Sequence, residues 1–224
     1  MNLRFRDRSE AGKLLAERLQ AYRECEDVQI LALPRGGVVV GFEVAKALLL
    51  PLDVLVVRKL GVPGHEELAM GAIATGGIRL LNHFLIRSLA LSEESIRLVE
   101  QREEGELSRR EREYRGERPA CEVREKTVIL VDDGIATGST MQVAIASLRK
   151  RGVGHLLVAS PVAPKSVVHS LGACVDEVVC IMTPENFGGV GAWYDNFSQT
   201  SDGEVHRLLE SADHLFPSTH VQER

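Results

Sequence analysis

The chain has 224 residues, 44% of them hydrophobic, enough to bury one substantial core and too few for two full domains. A formal net charge of −5 excludes a general attraction to nucleic acid or to an anionic membrane, so a polyanionic ligand has to be held by local cations. The four cysteines, Cys25, Cys121, Cys174 and Cys180, form no C-x-x-C pair and have no metal-ligand spacing with the seven histidines, which argues against a disulfide framework or a zinc site and for reduced thiols in a cytoplasmic protein.

The charged start, Met1 to Arg8, lacks the apolar core of a signal peptide, and no stretch approaches about 18 apolar residues, so a soluble, cytoplasmic chain is expected. Ser9 reads as the cap of a helix from about Glu10 to Tyr22, with Leu14, Leu15 and Leu19 on one face. Val28 to Leu33 reads as a strand that Pro34-Arg35-Gly36-Gly37 breaks, and Val38 to Leu50 as the helix behind that loop, stopped by Pro51. Leu52 to Val57 is the next buried strand, followed at 58–66 by a loop containing Gly61, Pro63 and Gly64. Glu67 to Leu81 resembles a hairpin turning at Gly76-Gly77. From Ser92 to about Gly116 the chain is densely charged with both signs, the pattern of a solvated helix laced by i,i+4 pairs and interrupted at Gly105. Its Arg109, Arg110 and Arg112 are balanced by neighbouring glutamates and make no nucleic-acid footprint.

Val128 to Val131 is an unbroken aliphatic run, which favours a strand covered on both faces. It ends in Asp132 and Asp133. Successive strand residues point to opposite faces, so both acids serve one ligand only where the chain is already leaving the sheet, a departure that Gly134 eases. Ala136, Thr137, Gly138, Ser139 and Thr140 then offer backbone N–H groups and hydroxyls at the start of a helix from about Met141 to Arg151, a setting suited to a dianionic phosphate. An isolated Asp-Asp pair is usually a solvated strand end, and Thr137 or Ser139 alone a helix cap. Here strand, acids, hydroxyl-rich turn and helix follow in order, the context that makes a ribose-phosphate cradle the better reading.

Beyond it come a strand at His155 to Ser160, a helix at about Pro164 to Leu171, a strand at Glu177 to Met182, a Gly- and aromatic-rich segment at Thr183 to Gln199, and a helix at Ser201 to Ser211. Strands separated by helical stretches predict an α/β fold with an open parallel sheet flanked by helices. Ligands of such sheets bind beyond the carboxyl ends of the strands. Arg35-Gly36-Gly37 occupies one such end and Arg58-Lys59 another.

The run from Val128 to Met141 resembles the phosphoribosyl pyrophosphate (PRPP) signature of the type I phosphoribosyltransferases. The resemblance implies one domain over 1–224: a core at about 26–182, a charged helical insertion at about 88–118, and a small hood at about 183–199 completed by the C-terminal helix. It implies that Asp132 and Asp133 bind the ribose hydroxyls, that Ala136, Thr137, Gly138, Ser139 and Thr140 wrap the 5-phosphate, and that Arg35, Gly36, Gly37, Arg58 and Lys59 hold the pyrophosphate. Lys59 then joins the two acids as the catalytic set, and a non-proline cis peptide is expected between Pro34 and Arg35. The loop at Gly61 to Glu66 would be the lid and Phe187 of the hood the residue stacked on the base. The implied reaction transfers 5-phosphoribosyl from PRPP to a nitrogenous base, with Mg2+ held mainly through PRPP and the chain paired as a homodimer.

One position departs from part of that family. Where 6-oxopurine members carry an aspartate, this chain has Ala136, which neither takes a proton nor hydrogen-bonds through its side chain, so the acceptor base stays open. A regulator that senses PRPP without catalysis, and another phosphate-binding α/β protein, are the alternatives. No P-loop, dinucleotide fingerprint, H-E-x-x-H or G-x-S-x-G pattern competes. From sequence, Asp133→Asn is expected to weaken PRPP binding with little loss of folding stability.

Overall fold

The computed structural model describes residues 4–216. In chain order the elements are α1 (Arg8–Arg18), β1 (Val28–Ala32), α2 (Gly36–Leu48), β2 (Leu52–Val54), β3 (Val57–Val62), β4 (His65–Ala74), β5 (Ile78–Leu81), α3 (His83–Ser88) and α4 (Glu93–Arg115). They continue with β6 (Thr127–Val131), α5 (Ser139–Lys150), β7 (His155–Val162), α6 (Lys165–Gly172), β8 (Glu177–Met182) and α7 (Asp202–Leu215).

The aliphatic runs pair into a five-stranded sheet of order β2-β1-β6-β7-β8, parallel throughout. This is the α/β fold expected from the sequence. Every residue of β1 is buried, as are four of the five in β6, because helices cover both faces. One face carries Leu15 of α1 and Leu19 just after it, Val40, Val44 and Leu48 of α2, and Val205 and Leu209 of α7. The other is covered by Met141, Ile145 and Leu148 of α5 and Leu171 of α6. α7 packs against α2, α4 and β2.

Several boundaries differ from the sequence reading. Helix α1 is capped by Asp7, whose carboxylate accepts the Glu10 N–H at 2.8 Å, and not by Ser9, whose hydroxyl bonds Glu43 on α2. It ends at Arg18, and a separate 3-10 turn follows at Gln20–Tyr22. Helix α2 begins at Gly36 and runs through Val38-Val39-Val40, where burial overrides the strand preference of β-branched residues.

The expected loop and lid at 58–66 is a hairpin: β3 and β4 pair antiparallel around Pro63-Gly64, and β5 completes a three-stranded sheet through the turn at Gly76-Gly77. Charge and glycine imitated a loop there, but Leu60, Val62 and Met70 are buried beneath the hairpin and hold it as strand. Gly61 allows the close pairing, since a Cβ on it would lie 2.7 Å from the Glu66 carbonyl oxygen.

Helix α4 runs without interruption through Gly105. A glycine costs a helix about 1 kcal/mol, and the buried stripe of Ile96, Val99, Glu103, Leu107 and Tyr114 outweighs it, so the charged helix is seated rather than fully solvated. Its end is tied to the sheet: Arg115, 5% exposed, donates from Nε to Asp53 Oδ1 at 2.7 Å and also bonds the Val54 carbonyl, while Asp53 Oδ2 accepts the Cys121 N–H at 3.1 Å. Among the described residues no helix is long and apolar enough to cross a membrane.

Candidate active site

Strand order reverses between β1 and β6: the chain proceeds from β1 outward to β2 on one side and from β6 to β7 and β8 on the other. A crevice opens at such a switch point, beyond the carboxyl ends of the two strands. Into it run the loop after β1, Pro34 to Gly37, and the loop after β6, Asp132 to Gly138. The peptide between Pro34 and Arg35 is cis, as the resemblance implied.

The two loops touch. A Cβ placed on Gly36 would lie 2.7 Å from Asp133 Cγ, closer still to its Oδ2, and 2.6 Å from Arg8 Nε. One on Gly37 would be 3.0 Å from Asp132 Oδ1 and 3.0 Å from the Val131 carbonyl oxygen. The pair Gly36-Gly37 is thus the spacing that lets the first turn of α2, with its unpaired N–H groups, approach the acids. Glycine serves the same purpose at 134, where a Cβ would meet Val190 Cγ2 at 2.9 Å, so the segment after β8 sits directly on the acid loop.

The acids are not equivalent. Asp132 Oδ1 accepts the Asp133 N–H at 2.9 Å, and the Asp132 carboxyl is held well above the usual carboxylate range, by loss of hydration first and by the neighbouring Asp133 charge second. Asp133 instead has a cation: Arg8 Nε donates to its Oδ2 at 2.6 Å, with the two side chains 12% and 14% exposed. The backbone carbonyl of Asp133 accepts the Tyr194 hydroxyl at 2.5 Å. Burial and then the charge of Asp133 push the Tyr194 phenol upward, which keeps it a donor.

A folded-state pKa above the unfolded value means that the stability Asp132 contributes is present at acid pH and is lost as pH rises through the raised value. Asp132→Asn keeps the acceptor and removes that cost. It is expected to melt above the wild type at neutral pH, by about 2–4 °C for each kcal/mol regained. Melting curves from acid to neutral pH check this, and the gap should close toward the acid end. Asp133→Asn has the opposite sign, because it strands a largely buried guanidinium. On the strength of this ion pair a loss of roughly 1.5–3 kcal/mol is expected, more than the sequence alone suggested and measurable by denaturant unfolding.

On the phosphate side, α5 begins at Ser139, two residues before the predicted start, with Gly138 in the left-handed region at φ 75° as its cap. Thr137 Oγ1 and Ser139 Oγ lie 3.0 Å apart, and Lys59 Nζ donates to Ser139 Oγ at 2.6 Å. Ala136, Thr137 and Thr140 are exposed. Lys59 reaches this turn from β3. Arg58, its neighbour, is turned to α4, where Nε and Nη2 bond Glu103 at 2.9 and 2.5 Å. Both line a cavity of about 370 Å3 together with Arg102, Glu66 and Thr140. Arg35 faces Asp202 at the start of α7, 3.9 Å away.

The family model for the phosphoribosyl transferase domain matches residues 8–192. The chain belongs to the phosphoribosyltransferase family. A relative in Mycobacterium tuberculosis, itself named only provisionally as a phosphoribosyl transferase, is 45% identical over 212 residues, covering 95% of this chain and 48% of the relative. The chain therefore spans about half the length of the curated relatives it matches. The solved structure of the protein TT1426 from Thermus thermophilus is similar at 40% identity and a TM-score of 0.82, over 93% of this chain and 98% of that one.

In this member of the family the expected site residues divide into groups. Asp132, Asp133, Gly36 and Gly37 are in one cluster, and Lys59 meets the 136–140 turn. The guanidinium of Arg58 and the ring of Phe187 are engaged elsewhere. Phe187 is half-buried against an apolar cluster of Phe5, Ala11, Val162 and Tyr194, and its carbonyl accepts the Trp193 indole N–H at 2.9 Å. Sequence reasoning missed Arg8, Tyr194 and Phe5. Phe5 pairs with Tyr194 in a parallel bridge, so the stretch before α1 packs on the segment after β8. Nothing in the charged N-terminal run singled out Arg8 from Arg4 and Arg6.

Proposed function

We propose that this chain transfers the 5-phosphoribosyl group of PRPP to a nitrogenous base and releases pyrophosphate, working as one domain in the cytoplasm and paired as a homodimer. The observation that carries this reading is the contact of Gly36 and Gly37 with Asp132 and Asp133 at the switch point, which sets an anion-binding helix start against a sugar-binding acid pair. The 5-phosphate rests on the N–H groups and hydroxyls from Ala136 to Thr140, with Lys59 beside Ser139. The ribose hydroxyls face the carboxylates. Negative charge growing on the departing pyrophosphate meets Arg35, the first turn of α2 and Lys59, while Val190 and its neighbours exclude water from the oxocarbenium-like C1. The base is received under the hood near Phe187.

Among the described residues no group of three or more His, Cys, Asp or Glu gathers to hold a metal ion. Magnesium would arrive on PRPP, and Asp132 and Asp133 would hold the ribose hydroxyls beside it. When bound, magnesium neutralises part of the pyrophosphate charge.

The test is pyrophosphate release from PRPP and magnesium across a panel of nucleobases, with thermal protection by PRPP measured alongside. Release with one base establishes the reaction. Protection without release by any base turns the reading to a PRPP sensor, and no protection removes both. Lys59→Gln should lower kcat/KM by about tenfold or more, through loss of one charge-assisted contact, with the melting temperature nearly unchanged.

A further inference from the structure

We propose that Arg8 is a positioning residue for the ribose end of the substrate: it orients the Asp133 carboxylate and supplies the charge against which Asp133 meets the sugar hydroxyls. The inference rests on the PRPP reading above and adds a residue from outside both loops that the reading uses.

Arg8 is the first residue of α1 and lies 125 positions from Asp133 in sequence. Three contacts fix its guanidinium. Nε donates to Asp133 Oδ2 at 2.6 Å, Nη1 donates to the Ser198 carbonyl at 2.7 Å, and the ring of Phe197 lies 3.9 Å from the guanidinium carbon. Phe197 in turn stacks on Tyr194, with ring centroids 5.1 Å apart, and Tyr194 bonds the Asp133 backbone. One carboxylate is therefore gripped at its side chain by Arg8 and at its main chain by Tyr194, and the two grips are braced through Phe197.

Only a guanidinium fits this place. Its planar fork serves a carboxylate and a carbonyl at once while its face lies on an aromatic ring, which a lysine ammonium cannot do. The contact also touches the pyrophosphate side, since Arg8 Nε is one of the atoms that a Cβ on Gly36 would strike. Among the described residues no cation forms an ion pair with Asp132, its partner acid, which lies in a cost-bearing, dehydrated position. The pair is thus divided into one acid bonded and oriented by a cation, and one held close by it.

A surface salt bridge would contribute little of this. Here both side chains are largely withdrawn from water, so losing the cation leaves Asp133 without an orienting partner and next to a second carboxylate.

The experiment is titration calorimetry of the full chain with three probes: PRPP with magnesium, ribose 5-phosphate, and pyrophosphate with magnesium. In Arg8→Gln, affinity for the two ribose-bearing probes should fall by about tenfold or more while that for pyrophosphate changes little. Arg8→Lys should recover part of the loss. If Arg8→Gln does not fold, Arg8→Lys carries the test alone, with a smaller loss confined to the same two probes. Equal affinities for all three probes in a folded Arg8 variant overturn the proposal, as does an equal loss on all three, which marks Arg8 as merely structural. Failure of the wild type to bind PRPP overturns the underlying reading, and this inference with it.

Discussion

Gly36→Ala is expected to abolish PRPP binding and to destabilise the fold by roughly 3–5 kcal/mol, the range for breaking a buried charge pair. The added methyl would fall within 2.7 Å of Asp133 Cγ and 2.6 Å of Arg8 Nε, and neither has room to retreat: Arg8 is bound to Ser198 and stacked on Phe197, and Asp133 is anchored through Tyr194. Either the ion pair opens or α2 backs away from the crevice, and each removes the juxtaposition of acids and helix start. Calorimetric titration with PRPP and urea unfolding measure the two losses. A variant that binds PRPP as the wild type does would refute the close approach. Gly105→Ala makes a useful contrast, because a Cβ there meets nothing within 4 Å.

The second large effect lies away from the crevice. Asp53→Ala removes the partner of Arg115, whose side chain is 5% exposed, and leaves the Cys121 N–H without its acceptor. Glu111 at 3.2 Å is a second carboxylate for Arg115 but does not replace the bond to β2. A loss of about 3 kcal/mol is expected, corresponding to a fall in melting temperature of about 6–12 °C. PRPP affinity of the folded fraction should stay within a factor of about two, since distant sites with no shared partners act independently. Arg115→Met likewise leaves a partner behind, the Asp53 carboxylate at 13% exposure, which keeps the Val54 and Cys121 N–H groups as donors.

The parallel sheet was legible because β6 is an unbroken aliphatic run beyond its first residue and the other strands are mostly apolar, a pattern that favours strands covered on both faces. The acid loop and the glycine loop were legible for a related reason: glycine, acid and hydroxyl at fixed offsets leave few alternatives to close backbone approach and anion contact. The hairpin turning at Gly76-Gly77 was legible, whereas the pairing of β3 with β4 was hidden because its exposed residues are charged and its turn residues sit where a loop would have them, while the burial that decides the matter comes from α4 and α5. Arg58 and Lys59 were both read from sequence as pyrophosphate cations, with Lys59 alone in the catalytic set. Neighbours on a strand point to opposite faces, and so one meets Glu103 and the other Ser139. Arg8 was illegible for a different reason, since its partner lies far along the chain and a single arginine among several carries no local pattern.

The hold of Arg8 on Ser198 joins positions 190 residues apart. At a synthesis rate of about 5–20 residues per second, the two are made roughly 10–40 seconds apart. The first helix of the nascent chain is therefore made long before Ser198 exists, and Asp133 is made in between. Completion of this corner is a late event in biogenesis, and a ribosome stalled before Phe197 would release a chain in which Arg8, Asp133 and Tyr194 are present and the brace of Phe197 and Ser198 on Arg8 is not.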